Sequence, residues 1–188
     1  FCRGAAGLAL ALLLGACAAP PSPAALSAAP NAPGPLATHA YALLNRLSWG
    51  ASTSAVAQFS QRGFSSYLQA QLHPQPRPLP TEVQQQIDAM AISRTPLAAL
   101  VQQLEQQRKE ADALAQDESK KAAQQAYQQA LGRLQREAAT RHLLRALYSQ
   151  NQVQEQMTWF WINHVSLHQG KSNLRAMLGD YEESAIRA

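Results

Sequence analysis

The chain has 188 residues, 46% of them hydrophobic but only 6% aromatic, and a net charge of +4. Its basic residues are scattered among acids, with no Lys/Arg run and no basic stretch interleaved with aromatics, which argues against nucleic-acid binding. No glycine-rich phosphate loop is present, so nucleotide binding has no support either.

The first segment reads as a targeting sequence. Arg3 precedes an apolar run from Leu8 to Leu14 that is too short to span a bilayer as a stable helix. The run ends in Leu14-Gly15-Ala16-Cys17, which resembles the lipobox of bacterial lipoproteins. The resemblance implies a signal peptide over residues 1–16 and a diacylglyceryl group on Cys17. The only other cysteine, Cys2, lies inside the same segment, so the mature body would carry no disulfide and no thiol nucleophile. Residues 17–36 are rich in Ala, Pro and Ser and hold too little bulk to bury a core, so they read as a tether. The expected location is extracytoplasmic, lipid-anchored to a bacterial membrane.

The remainder, residues 37–188, reads as an all-α helical domain, since no alternating β-branched run occurs. Thr38 can cap a helix through Leu43, Leu44 and Leu47 that Gly50 ends. Ser52 or Thr53 starts a second with Val56 and Phe59 inward, stopped at Gly63, and Phe64 to Leu72 form a third, closed by His73-Pro74. Glu82 to Met90 make a fourth, and Pro96 suits the first turn of a fifth with Leu97, Leu100, Val101 and Leu104 on one face. The Gln- and Ala-rich segment from Gln106 to Gln135 is either one long exposed helix or a hairpin with its tip near Gln116 to Lys120. The missing initiator Met and the helix-like ending YEESAIRA lead us to expect the N-terminal part of a longer chain, truncated at its C-terminal end.

The stretch from Ser149 to Lys171 concentrates the chemistry. Ser149 can cap a helix with Gln152 reaching back, and Gly170 can end it. Val153, Met157, Phe160, Trp161, His164, Val165 and His168 recur at steps of three and four, so this stripe is expected to face the core, together with Trp159. Two readings of the histidines stay open. His164 and His168 share a face at the spacing that lets two imidazoles hold one divalent metal, with Asp180 and Glu183 as possible carboxylate ligands or base. Otherwise His164 is a core histidine, His168 a surface one, and Glu183 pairs with Arg187 four residues on. Asn45, Arg46, Trp161 and Asn163 read as structural residues, with Arg46 pairing Asp180 or Glu182.

Several blocks together resemble the bacterial family called domain of unknown function 1800. They are Leu44-Asn45-Arg46-Leu47 with Gly50, then Gln71-Leu72-His73-Pro74, then Arg145-Ala146-Leu147-Tyr148-Ser149 into Trp159-Phe160-Trp161-Ile162-Asn163-His164, and last Asn173-Leu174-Arg175 through Asp180-Tyr181-Glu182 to Ile186-Arg187. Val165 stands where an aromatic is usual, and the Gln106–Gln135 segment is an expansion. The resemblance implies a largely helical, extracytoplasmic protein several hundred residues long, encoded near another exported family that is similar to sulfatases or phosphatases. It implies no reaction and transfers no catalytic residue. Two functions are therefore expected to compete: a lipoprotein scaffold or partner of another exported protein, and a metal-dependent hydrolytic enzyme using His164 and His168.

Overall fold

In the computed structural model, which describes residues 35–115, 117–165 and 174–187, the chain is built from helices joined by short turns, and no strand occurs among the described residues. The fold is all-α. In order the helices are α1 (Pro35–Leu47), α2 (Thr53–Arg62), α3 (Phe64–Leu72), α4 (Thr81–Asp88), α5 (Ala91–Arg94), α6 (Leu97–Ala113), α7 (Asp117–Tyr148), α8 (Gln152–His164) and α9 (Leu174–Tyr181), followed by a π-helical turn, Glu182–Ile186.

The signals that punctuate the sequence act as their chemistry dictates. The Ser52 hydroxyl accepts the amide of Ala55 and starts α2. Gly63, at φ 75°, ends α2 by donating its N–H to Phe59 and opens α3 by accepting from Tyr67. A side chain would strain that left-handed backbone, which accounts for the glycine. Pro96 precedes α6, and its carbonyl takes the amides of Ala99 and Leu100.

Two apolar centres form. Ala40, Leu44, Phe59 and Tyr67 hold α1 to α3 together. Leu100, Leu104, Tyr127, Leu131, Leu134 and Ala176 hold the α6/α7 hairpin to α9. The hairpin resolves the two readings of the Gln-rich segment: α6 stops at Ala113 and α7 begins at Asp117, so the reversal sits just before the expected tip. Leu100, Leu104 and Ala111 on one arm meet Tyr127, Leu131 and Leu134 on the other, while most Gln side chains stay in solvent. At Gly179, α9 comes so close to α7 that an added Cβ would stand 3.2 Å from Arg141 Nη2 and 3.4 Å from Ala138 Cβ. Only hydrogen fits there without a shift.

Between the two centres the packing is polar. Gln71, buried on α3, donates to the carbonyl of Gln150 at 2.9 Å and accepts the amide of Val153 at 3.1 Å. Asn151, also buried, donates to the carbonyl of Gln75 at 3.0 Å. The Gln152 side chain accepts the amide of Trp49, and Gln156 donates to the carbonyl of Ser48. Each of these amides satisfies a backbone group that a loop packed against a helix would otherwise leave without a partner. The first three helices are thus fastened to α8 by amides more than by hydrocarbon.

Candidate functional site: the two faces of helix α8

Helix α8 starts later than its sequence suggests. Asn151 stands at the N-cap position, and Ser149 belongs to the corner that follows α7. Its hydroxyl accepts the amide of Asn151. The Gln152 amide does reach back, but to carbonyls: it donates to Ala146 and Ser149 at 3.0 and 2.7 Å. These bonds take up carbonyls that the end of α7 leaves open.

The face turned inward is charged. Glu155 and Thr158 are each 2% exposed. Arg187 grips the Glu155 carboxylate with both terminal nitrogens, at 2.8 and 2.7 Å, and reaches Glu182 at 3.1 Å. His142 Nδ1 lies 3.1 Å from Oε1 of the same Glu182 carboxyl group. Around this sits a second ring: Arg145 holds Glu183 with two bonds, and Arg141 donates to the carbonyl of Gly179. The two-pronged Arg187–Glu155 contact is the strong, planar form of ion pair. The π-helical turn makes the triad possible, because Arg187 N–H bonds to Glu182 five residues back at 3.0 Å. On an α-helix, residues five apart point about 140° away from each other; the wider turn brings them side by side. Such turns recur at sites under a local constraint.

The charges are balanced against their burial. Desolvation disfavours ionised Glu182, but hydrogen bonds and charge from His142 and Arg187 outweigh it and hold its carboxyl below the usual carboxylate range. For Arg187, burial opposes the charge while Glu155 and Glu182 more than restore it, so its pKa rises. Arg141 goes the other way: burial, helped by Arg145 and Arg187, outweighs Glu183 and Glu182 and pulls it down. Among the described residues Arg141 Nε, His142 Nε2 and Arg187 Nε are buried without a hydrogen-bond partner.

A pH dependence follows from Glu182. Its folded pKa is lower than its unfolded one, so in acid the unfolded chain binds the extra proton and stability rises with pH. The contribution is complete above the ordinary carboxylate range and is lost as pH falls through the depressed folded value. Thermal melts of the wild type should fall on acidification through that window. Those of Glu182→Gln should start lower and fall less steeply; parallel curves for the two proteins would refute the assignment.

The face turned outward is aromatic. Met157, Trp159, Phe160 and Trp161 are 44–49% exposed. Trp159 packs on the His142 ring at 5.3 Å and meets Trp49 edge-on at 6.0 Å. Phe160 and Trp161 stand edge-on at 5.3 Å, and His164 stacks on Phe160 with 15° between the rings. The edge-to-face and stacked arrangements are those that ring quadrupoles favour.

A family model described as "Protein of unknown function (DUF1800)" matches residues 42–188, most of the chain. The chain belongs to the DUF1800 family. No curated protein and no solved structure matches it.

In this DUF1800 chain the residues singled out from sequence fall as follows. Trp159, Phe160 and Trp161, expected in the core, lie on the surface because the ionised side of the helix occupies the interior. Asn163 is exposed and donates to the carbonyl of Trp159 within its own helix, so it fastens nothing else. Asn45 accepts the amide of Ala51 at 3.0 Å. Arg46 is exposed and takes no part in the ion cluster; Glu182 is paired by Arg187 and His142 instead. Glu183 pairs with Arg145 and not with Arg187, since the π-turn redirects Arg187 to Glu155 and Glu182.

Of the four proposed metal ligands, His164 is exposed against Phe160 and Trp161, Asp180 lies 3.4 Å from the Ser184 hydroxyl, and Glu183 is held by Arg145. His168 lies outside the described residues, as do Cys17, the signal peptide and residues 17–34 of the tether. Among the described residues no group of three His, Cys, Asp or Glu side chains converges. For Glu183 to bind a metal it would have to give up Arg145, leaving a largely buried guanidinium short of its partner. The residues that sequence reasoning missed are Glu155, His142, Arg141, Arg187 and Trp49. The one early sign was that Glu155 and Thr158 stand three apart, on one side of a helix that also carries a wide apolar arc.

Proposed function

We infer that this DUF1800 chain is an extracytoplasmic lipoprotein, anchored through a lipid on Cys17, whose helical unit is a scaffold that docks another exported protein on the outward face of α8. The observation that carries the docking reading is the inverted helix: Glu155 is buried while Met157, Trp159, Phe160 and Trp161 face solvent. Met157 and Phe160 stand on the side of α8 away from Glu155 and Thr158, with Trp161 and Trp159 on its two flanks, and Trp, Tyr, Phe and Met are the residues enriched in interface cores. The ion cluster beneath them holds the helix in this orientation; Trp159 packs on its His142, and Met157, Phe160 and Trp161 remain for a partner. The lipobox-like Leu14-Gly15-Ala16-Cys17 and the Ala/Pro-rich tether support the location.

The test places a photocrosslinking phenylalanine analogue at Phe160, and separately at Trp161, in the full chain expressed in its own cells. Both positions should capture the same exported polypeptide, and the analogue at exposed Ser60 on α2 should not. Crosslinks confined to the chain itself, or no crosslink from either position, would overturn the docking reading.

A further inference from the structure

Two clefts adjoin the α7–α8 corner, one of them apart from the arginines. That one is a cavity of about 460 Å³ between the α1–α2 turn and the corner at Ala146 to Gln152. That volume suits a small ligand. The two clefts meet at Ser149 and differ sharply in character. One carries Arg77, Arg145, Arg187, Glu155 and Glu183. The other is lined by no Asp, Glu, Lys, Arg or His at all; its walls are hydroxyls, amides and aromatic rings, with Ala51, Ala55, Ala146 and Leu147 between them.

Its most exposed wall is held unusually firmly for a turn. Ser48, 3% exposed, donates its hydroxyl to the carbonyl of Leu44 at 2.7 Å. The amide of Trp49 bonds to Gln152 at 3.1 Å and that of Ala51 to Asn45 at 3.0 Å. Gly50 takes φ 149°, a backbone that side-chain-bearing residues rarely adopt. All this fastening displays one tryptophan, Trp49, 45% exposed, with its ring braced from behind by Trp159. An exposed ring adds little to a core. A ring immobilised in advance is what a binding site gains from, because the ordering cost has already been met in folding.

We propose that this cleft binds a neutral oligosaccharide. Sugars present flat C–H faces that lie on aromatic rings, and Trp49 and Tyr148 offer two such rings. Sugar hydroxyls both donate and accept, and so do the groups between the rings. The Gln58 amide makes no hydrogen bond among the described residues, and the Gln150 oxygen is taken by Arg77 while its NH₂ is not. The absence of charge in the lining turns away phosphates, carboxylates and metal ions, whose desolvation nothing here would offset. Trp159 of α8 braces the Trp49 ring, but the amides and the uncharged lining need no docked partner, so the proposal does not rest on the docking reading.

The test screens the full-length protein on an array of neutral and acidic oligosaccharides, then titrates the best neutral one by intrinsic tryptophan fluorescence. We expect saturable binding of a neutral oligosaccharide. Gln58→Ala and Tyr148→Ala should each weaken it by roughly tenfold, the scale of one lost stacking or hydrogen-bonding group, and Trp49→Ala should abolish it. Trp161→Ala, on the outward face of α8, should leave it unchanged. Trp49→Ala also removes a ring that braces Trp159, so the decisive variants are Gln58→Ala and Tyr148→Ala, each checked as folded by circular dichroism. No neutral binder, a preference for acidic glycans, tighter binding of a proline-rich peptide run alongside, or affinity unmoved by those two variants would each overturn the proposal.

Discussion

Replacing Arg187 by alanine should lower the melting temperature by roughly 6–20 °C. Burial sets the scale. Glu155 and Glu182 are each 2% exposed, and Arg187 is the cation that bridges them. Removing it leaves two carboxylates in a poorly solvated interior, with Glu155 losing its ion-pair partner and Glu182 keeping His142 as its direct one. Breaking a buried pair from one side costs about 3–5 kcal/mol. In a domain of this size each kcal/mol moves the midpoint by about 2–4 °C. The matched control is Arg145→Ala, whose partner Glu183 is 44% exposed, so water can take over much of its role and the cost should stay near about 1 kcal/mol. Adding Glu155→Gln to Arg187→Ala should restore part of the loss, because the second change removes the stranded charge. The experiment is a set of thermal melts on the four proteins. An Arg187→Ala midpoint close to wild type, or no recovery in the double variant, would mean that the cluster is solvated and does not hold α8 in place.

The same buried charge explains why α8 misleads when read as a string. Its apolar residues recur at helical spacing, and periodicity assigns the apolar stripe to the core. That inference assumes that the competing face cannot be buried. Here it can, because three arginines and a histidine from α7 and the π-helical turn arrive to neutralise it, and nothing near Glu155 in sequence announces Arg187, 32 positions away. Periodicity measures a preference for water one residue at a time. It has no access to a pairing made only after folding. Where the preference is local, the sequence is legible: Ser52 as a cap, Gly63 at its positive φ and Pro96 at the head of α6 each act through their own backbone. The hairpin was legible as one of two alternatives, since Gln and Ala favour helix without specifying where it reverses. The Trp49 turn was not, because its anchors, Gln152 and Gln156, lie more than 100 residues away. The two sides of α8 therefore differ in kind: Glu155 and Thr158 are buried, while Met157, Trp159, Phe160 and Trp161 are exposed.

Leu131→Ala should be the most damaging apolar substitution on the hairpin, at about 2–5 kcal/mol. Leu131 is fully buried at the middle of α7, in one cluster with Leu100 and Leu104 of α6 and Ala176 of α9. Its loss leaves a hole between three helices, and collapse would require all three to move together. Two of those elements cannot follow easily. At Gly179 the backbone of α9 already stands so close to α7 that an added Cβ would crowd Arg141, and Arg141 ties the two helices through the Gly179 carbonyl. A site that cannot contract retains its cavity, which puts the cost in the upper part of the range. Leu143, on the same helix but 55% exposed, supplies the comparison: Leu143→Ala should fall within about 0.5 kcal/mol of wild type. Urea unfolding read by far-ultraviolet circular dichroism separates the two, provided the denaturant slope is unchanged. Hydrogen exchange adds a second reading. Among the described residues near the tip of the hairpin, Ala111 and Tyr127 alone are buried, so amides near Asp117 should exchange early in both proteins. In Leu131→Ala alone that early-exchanging region should advance along α7 toward Leu134. Equal stability for the two variants would place the mechanical centre of the hairpin elsewhere, at the polar seam between α8 and the first three helices.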